Sequence, residues 1–93
     1  MQAAYKALCK QAIADGNVIS VWDGEEWADK RSNKIRSILS SIESVEEAEI
    51  VIRDVNGKKI GWALVSAFGL EPEETIIDCG AGDYVDAWFN ANT

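Results

Sequence analysis

The chain predicts an α+β domain, a two-layer antiparallel sheet of about five strands with helices on one face, in the order α-β-β-α-β-β-β-α. Three observations carry this. Asn56-Gly57 stands between two alternating, β-branched runs, Ala48 to Val55 and Lys58 to Phe68. Apolar stripes at helical spacing open the chain, close it and fill its middle. Between them, strand-like segments follow one another across short turn signals, and tight turns join antiparallel neighbours.

The central hairpin sets the register. Both Asn56 and Gly57 tolerate the positive φ of a type I′ turn. A two-residue loop there places Val55 opposite Lys58, Arg53 opposite Ile60, Val51 opposite Trp62 and Glu49 opposite Leu64. One face then carries Ala48, Ile50, Ile52, Gly61, Ala63 and Val65, small or β-branched as a helix-covered surface requires. The other mixes Trp62, Ile60, Val51 and Leu64 with Arg53 and Glu49.

Gln2 to Ala14 reads as the first helix, with Tyr5, Leu8, Cys9, Ala12 and Ile13 on one stripe and Gly16 suited to its left-handed end. Asn17 to Trp22 is a strand by β-branched content. Asp23-Gly24 is a second I′ signal, returning Glu25 to Ala28 as a short strand with Ser20 against Trp27, Val21 against Glu26 and Ile19 against Ala28. Polar Asp29 to Asn33 reads as a loop, with Ser32 as N-cap of a helix carrying Ile35, Ile38, Leu39 and Ile42. Gly69 and Pro72 end the central hairpin. Thr75 to Cys79 is a fifth strand, Gly80-Ala81-Gly82 turns the chain, and Asp83 caps a last helix with Tyr84, Val85, Trp88 and Phe89 on its stripe.

The 93 residues suit one domain, and no apolar run approaches the roughly 20 residues of a membrane span. The N-terminus lacks a basic region followed by an apolar block, so no signal peptide is expected. Two cysteines lie 70 positions apart and histidine is absent, which fits neither a disulfide framework nor a metal site and suits a reducing cytoplasm. Net charge is −7, and six of those charges lie after Lys59: Glu71, Glu73, Glu74, Asp78, Asp83 and Asp86. The basic cluster is Lys30, Arg31, Lys34 and Arg36. This balance disfavours direct binding of nucleic acid or anionic membrane and suits a basic protein partner, or simply solubility.

Without histidine the usual hydrolase dyads and triads are excluded. Cys9 lies on a core stripe, where a thiol is a small apolar residue. Cys79 precedes a glycine turn and a helix start, a setting that can activate a thiol or hold an anion, but Asp78 and Asp83 flank it and neither a P-loop nor a dinucleotide fingerprint is present. The simpler reading is a tight strand-to-helix turn. Adjacent carboxylates such as Glu25-Glu26 and Glu73-Glu74 read as solvated charge, and no cofactor or metal is expected. Trp88 reads as core. Trp22, Trp27 and Trp62 fall on the sheet face opposite the small residues, where they form an interface or are covered by a loop around Leu70 or by curling of the sheet.

The segments V-W-D-G-E-E-W-A-x-K-R-S (Val21 to Ser32), D-x-N-G-K-x-x-G-W-A (Asp54 to Ala63) and E-P-E-E-T-I-I-D (Glu71 to Asp78) resemble small acidic accessory proteins of phages and plasmids, a group that includes anti-CRISPR and antirestriction proteins. The resemblance implies a bacterial or phage setting and an inhibitor that acts by binding. Together these readings give a non-enzymatic protein that inhibits a host nucleic-acid-targeting complex. Its contacts would be the six acidic residues after Lys59, with Trp22, Trp27 and Trp62 as anchors. A self-associating module, such as a homodimer through the half-polar sheet face, is the alternative. An enzyme or small-ligand binder built on Cys79 is the third reading.

Overall fold

A computed structural model describes residues 3–93. It is an α+β domain with four helices and one five-stranded antiparallel sheet. The elements are α1 (Ala4–Ala14), β1 (Val18–Trp22), β2 (Trp27–Ser32), α2 (Ile35–Glu43), β3 (Glu47–Arg53), β4 (Lys59–Ser66), α3 (Pro72–Thr75), β5 (Ile76–Gly80) and α4 (Tyr84–Ala91). The strands lie in the order β2-β1-β3-β4-β5. The expected element order lacks α3, which falls between the fourth and fifth strands. Pro72 at its first turn and a capping box between Glu71 and Glu74 start a helix where Gly69 and Pro72 predict only a break. Strand five accordingly begins at Ile76, and Thr75 is a buried helix residue whose hydroxyl donates to the Ser66 carbonyl at 2.7 Å.

α1 keeps the expected stripe, with Tyr5, Leu8, Cys9 and Ala12 buried. Gln2, its expected first residue, lies outside the described residues. Gly16 ends it with φ 88. α2 is capped at Lys34 instead of Ser32; the Ser32 hydroxyl, two residues before that cap, accepts from the Lys34 N–H. Asp83 stands at the N-cap of α4 but its side chain makes no capping hydrogen bond.

β3 and β4 pair as the alternation requires: Glu49 with Leu64, Ile50 with Ala63, Val51 with Trp62 and Ile52 with Gly61. The tip differs from a I′ turn. Asn56 keeps a negative φ and only Gly57 turns left-handed, at φ 82. The Asp54 carboxylate accepts from the N–H groups of Asn56 and Lys58, and Asp54 and Lys58 close a three-residue loop. The longer loop shifts Arg53 from Ile60 to Lys59 and leaves Ile60 as an extra residue on β4. Val55 does not face Lys58; it is exposed at the loop.

The first hairpin departs further. Asp23 to Glu26 form a four-residue loop in which the Asp23 carboxylate accepts from the Glu25 and Glu26 N–H groups at 2.9 and 2.8 Å. The Glu26 contact, and then that of Glu25, hold this carboxyl below its ordinary range. Trp22 therefore pairs with Trp27, and Asp29 to Ser32 continue the strand where their polarity predicts a loop. Ala28 is exposed instead of joining Ile19 and Val21. Asp29 explains why this polar segment is held: its two carboxylate oxygens accept from Ser37 and Ser41, one helical turn apart on α2.

Ile19, Val21, Ala48, Ile50, Ile52, Ala63 and Val65 are fully buried on one face of the sheet, in one cluster with Leu8 and Cys9 of α1, Ile38 and Ile42 of α2, and Val85 of α4. Gly61 lets α4 approach: a Cβ there would lie 3.2 Å from the Val85 side chain. Two phenols tie the helices together. Tyr5 donates to Glu43 at the end of α2, and Tyr84 donates to Asp15 just beyond α1. Burial first, and then the carboxylate partner, push both phenols above their ordinary value of 10.0. The folded protein thus holds these protons to higher pH than the unfolded chain does. Their contribution to stability is full below about pH 10 and falls as pH rises beyond it. Urea denaturation should show lower stability at about pH 11 than at about pH 8. A Tyr5→Phe/Tyr84→Phe double variant should lose less over the same interval; an equal loss would assign the titration to other groups.

Candidate functional site

The candidate site is the sheet face opposite the core. Alternation along β1, β3 and β4 sends Ser20, Trp22, Glu49, Val51, Arg53, Trp62 and Leu64 to this side. Trp22 and Trp27 meet edge to face, with ring centroids 5.2 Å apart and planes at 71°. Trp22, Trp27 and Trp62 line one groove of about 320 Å³ with Glu49, Val51 and Lys59. The Trp62 indole N–H donates to the Glu49 carboxylate at 2.9 Å, so this tryptophan is oriented from within its own sheet. Trp27, on the edge strand, is the most exposed of the three at 43%.

A second groove of about 440 Å³ adjoins it, sharing Trp27 and Val51 and lined otherwise by Ser20, Lys30, Arg31 and Arg53. A bulge builds this groove. Ile19 pairs with Ser32 and Val21 with Asp29, so Ser20 faces both Lys30 and Arg31. Arg31 adopts φ 46, unusual for a residue with a side chain, and its N–H donates to the Ser20 hydroxyl at 2.8 Å. Two guanidinium groups converge on the tip of the neighbouring hairpin. Arg53 donates to the Gly57 carbonyl at 3.0 Å, and a Cβ on Gly57 would lie 3.6 Å from an Arg31 terminal nitrogen. No salt bridge involves Lys30, Arg31, Arg53 or Lys59 among the described residues.

None of the six acidic residues after Lys59 lines either of these grooves. Glu71, Glu73 and Glu74 belong to the start of α3, and Glu71 and Glu74 are engaged in its capping box. Asp78 lies on β5, and Asp83 and Asp86 lie at the start of α4. The strand order sets β2, with Lys30 and Arg31, at one edge of the sheet and β5 at the other. Trp27 thus lies at the edge remote from β5, among basic neighbours, whereas Trp62 on β4 pairs with Gly80 of β5, one strand from Asp78. Nothing in the linear charge pattern brings Arg53 to Lys30 and Arg31. The bulge and the β1–β3 pairing do so, and the one early sign was that Trp27 and the basic cluster are close in sequence.

Both thiols are raised above the ordinary cysteine value. Burial pushes the Cys9 thiol up to about 12. Cys79 is raised by burial and then by the charges of Asp86 and Asp78. Among the described residues, no group of three or more His, Cys, Asp or Glu side chains could hold a metal ion, and no helix is long and apolar enough to cross a membrane. Comparison with protein-family models, with curated proteins and with solved structures finds no match in any of the three.

Proposed function

We propose that this chain is a non-enzymatic binding protein whose recognition surface is the sheet face bearing Trp22, Trp27 and Trp62. The observation that carries this reading is the gathering of three indoles into one groove away from the core, with Trp27 at its exposed edge. Indoles are favoured anchors because they desolvate a large area at small entropic cost. The reading takes the helices to lie together on the opposite face, as the single cluster of α1, α2 and α4 side chains suggests. The absence of histidine and two raised thiols support binding over catalysis. In its finer form, the partner is a cytoplasmic, basic-surfaced host complex that targets nucleic acid. The protein inhibits it as anti-CRISPR-type accessory proteins do, with Glu73, Asp78, Asp83 and Asp86 as a second, acidic contact.

The test is comparative capture. Tagged wild type, Trp27→Ala and a Glu73→Lys/Asp78→Lys/Asp86→Lys variant are passed through nuclease-treated bacterial lysate at low salt. A nucleic-acid-targeting complex held by the wild type, inhibited by it, and lost from both variants is the expected result. A partner held equally by all three removes the assigned surface. Recovery of the bait alone, with a dimer mass by light scattering, favours self-association through the exposed Phe68, Leu70 and Ile77 around the β4–α3–β5 corner.

A further inference from the structure

The groove between Trp27 and the hairpin tip has a charge opposite to that of the whole molecule. On a chain of net charge −7, its lining includes Lys30, Arg31 and Arg53 and no acidic side chain. Two of these cations are guanidiniums brought to one residue, Gly57, without a carboxylate to neutralise them. Like charges held together disfavour the empty groove and favour an anion in it. Arg31 is held there by a left-handed backbone that the Ser20 hydroxyl supports, an arrangement that costs conformational energy and brings the side chain to this place. Beside the cations stands Trp27, an exposed indole whose ring is braced by Trp22.

We propose that this groove binds a short stretch of single-stranded nucleic acid, one base stacked on Trp27 and the adjoining phosphates held by Arg31, Arg53 and Lys30. Stacking on an aromatic ring beside a cationic groove is how single strands are held without regard to sequence. Guanidinium forks match phosphate oxygens in pairs. The groove is local: Glu26 directly precedes Trp27 in the chain and Glu49 lines the adjoining groove beside Trp62, and these carboxylates act against a longer backbone. Net charge excludes a long polyanion, but beyond a screening length of roughly 8 Å at physiological salt the distant acidic edge matters little to a ligand of a few nucleotides. The inference rests on the tryptophan face being the recognition surface and adds the strand exposed in a nucleic-acid-targeting complex as what that face meets.

Fluorescence anisotropy of fluorescein-labelled dT12 and U12 tests it, with circular dichroism confirming that each variant is folded. Saturable binding at low salt is expected, with log K falling by about 2 per decade of salt, as three phosphate contacts on a single strand require. Trp27→Ala should weaken binding by about tenfold or more. Arg31→Ala should weaken it and make the salt slope shallower, while Lys34→Ala, outside the groove, should leave it unchanged. No saturable binding by the wild type overturns the inference. So does binding indifferent to both Trp27→Ala and Arg31→Ala, or equal competition by poly-glutamate, which would assign the groove to an acidic protein segment. If the oligonucleotides fail while Trp27→Ala still abolishes partner capture, the recognition face stands and only the nucleic-acid ligand falls.

Discussion

Ile52→Ala is expected to lower stability by about 2–5 kcal/mol. The size follows from position. Ile52 is fully buried on β3, the central strand, between Ile19 on β1 and Gly61 on β4. Gly61 has no side chain to swing into the vacated space, and α4 already rests against that glycine. The cavity would therefore stay largely unfilled, and the lining would lose its contacts outright. Against a total stability of about 5–15 kcal/mol for a domain, this is a large share. At roughly 4–8 °C per kcal/mol for a chain of this length, thermal melting should show a drop of about 8 °C or more. Ile52→Val should cost only about 0.5–1.5 kcal/mol. A fall below about 1 kcal/mol for the alanine variant would mean that α4 settles inward and closes the gap.

Gly82→Ala should be as costly for a different reason. Gly82 has φ 127, a backbone conformation that side chains rarely adopt. A Cβ there would also lie 2.3 Å from the Ile60 carbonyl oxygen and 2.7 Å from its carbon. That neighbour is backbone of β4 and cannot rotate aside. Strain and collision add, for an expected loss of about 3 kcal/mol or more. The turn also launches α4, so its displacement would lift Tyr84 and Val85 from Gly61. Gly80→Ala is the control: open space surrounds that position, and a change within about 0.5 kcal/mol is expected. Urea midpoints of the two variants decide the matter. Equal midpoints would show that the 80–82 turn shifts freely away from Ile60.

The central hairpin shows how far local pattern reaches. From Glu47 to Ile52 the pairing with Gly61 to Ser66 is the one that alternation demands, because a slip by one residue would turn Ile50 and Ile52 out of the core. Nearer the tip that pressure is gone, and the Asp54 carboxylate selects a three-residue loop over the two-residue one that Asn56-Gly57 suggests. Asp29 to Ser32 were illegible as a strand because their stabilising contacts are not periodic. They rest on two serine hydroxyls of α2 and on the Ser20 hydroxyl of β1. Alternation puts Trp22 and Trp62 on one face once β1 pairs with β3, whereas Trp27 joins them in a register that Asp23-Gly24 does not predict, and their charged surroundings come from the fold.

What the amino-acid order determined by itself is the class of fold: α1, α2 and α4 from their apolar stripes, the register of the central hairpin from alternation, and the core face from its small and β-branched residues. Each of these follows from the burial of side chains that are near one another in sequence. Tertiary structure alone decided the first hairpin's register, the bulge at Lys30 and Arg31, and the convergence of Arg31 and Arg53 beside Trp27. Those features depend on β1 pairing with β3, and on hydrogen bonds between residues 8 to 12 positions apart, which no periodicity announces.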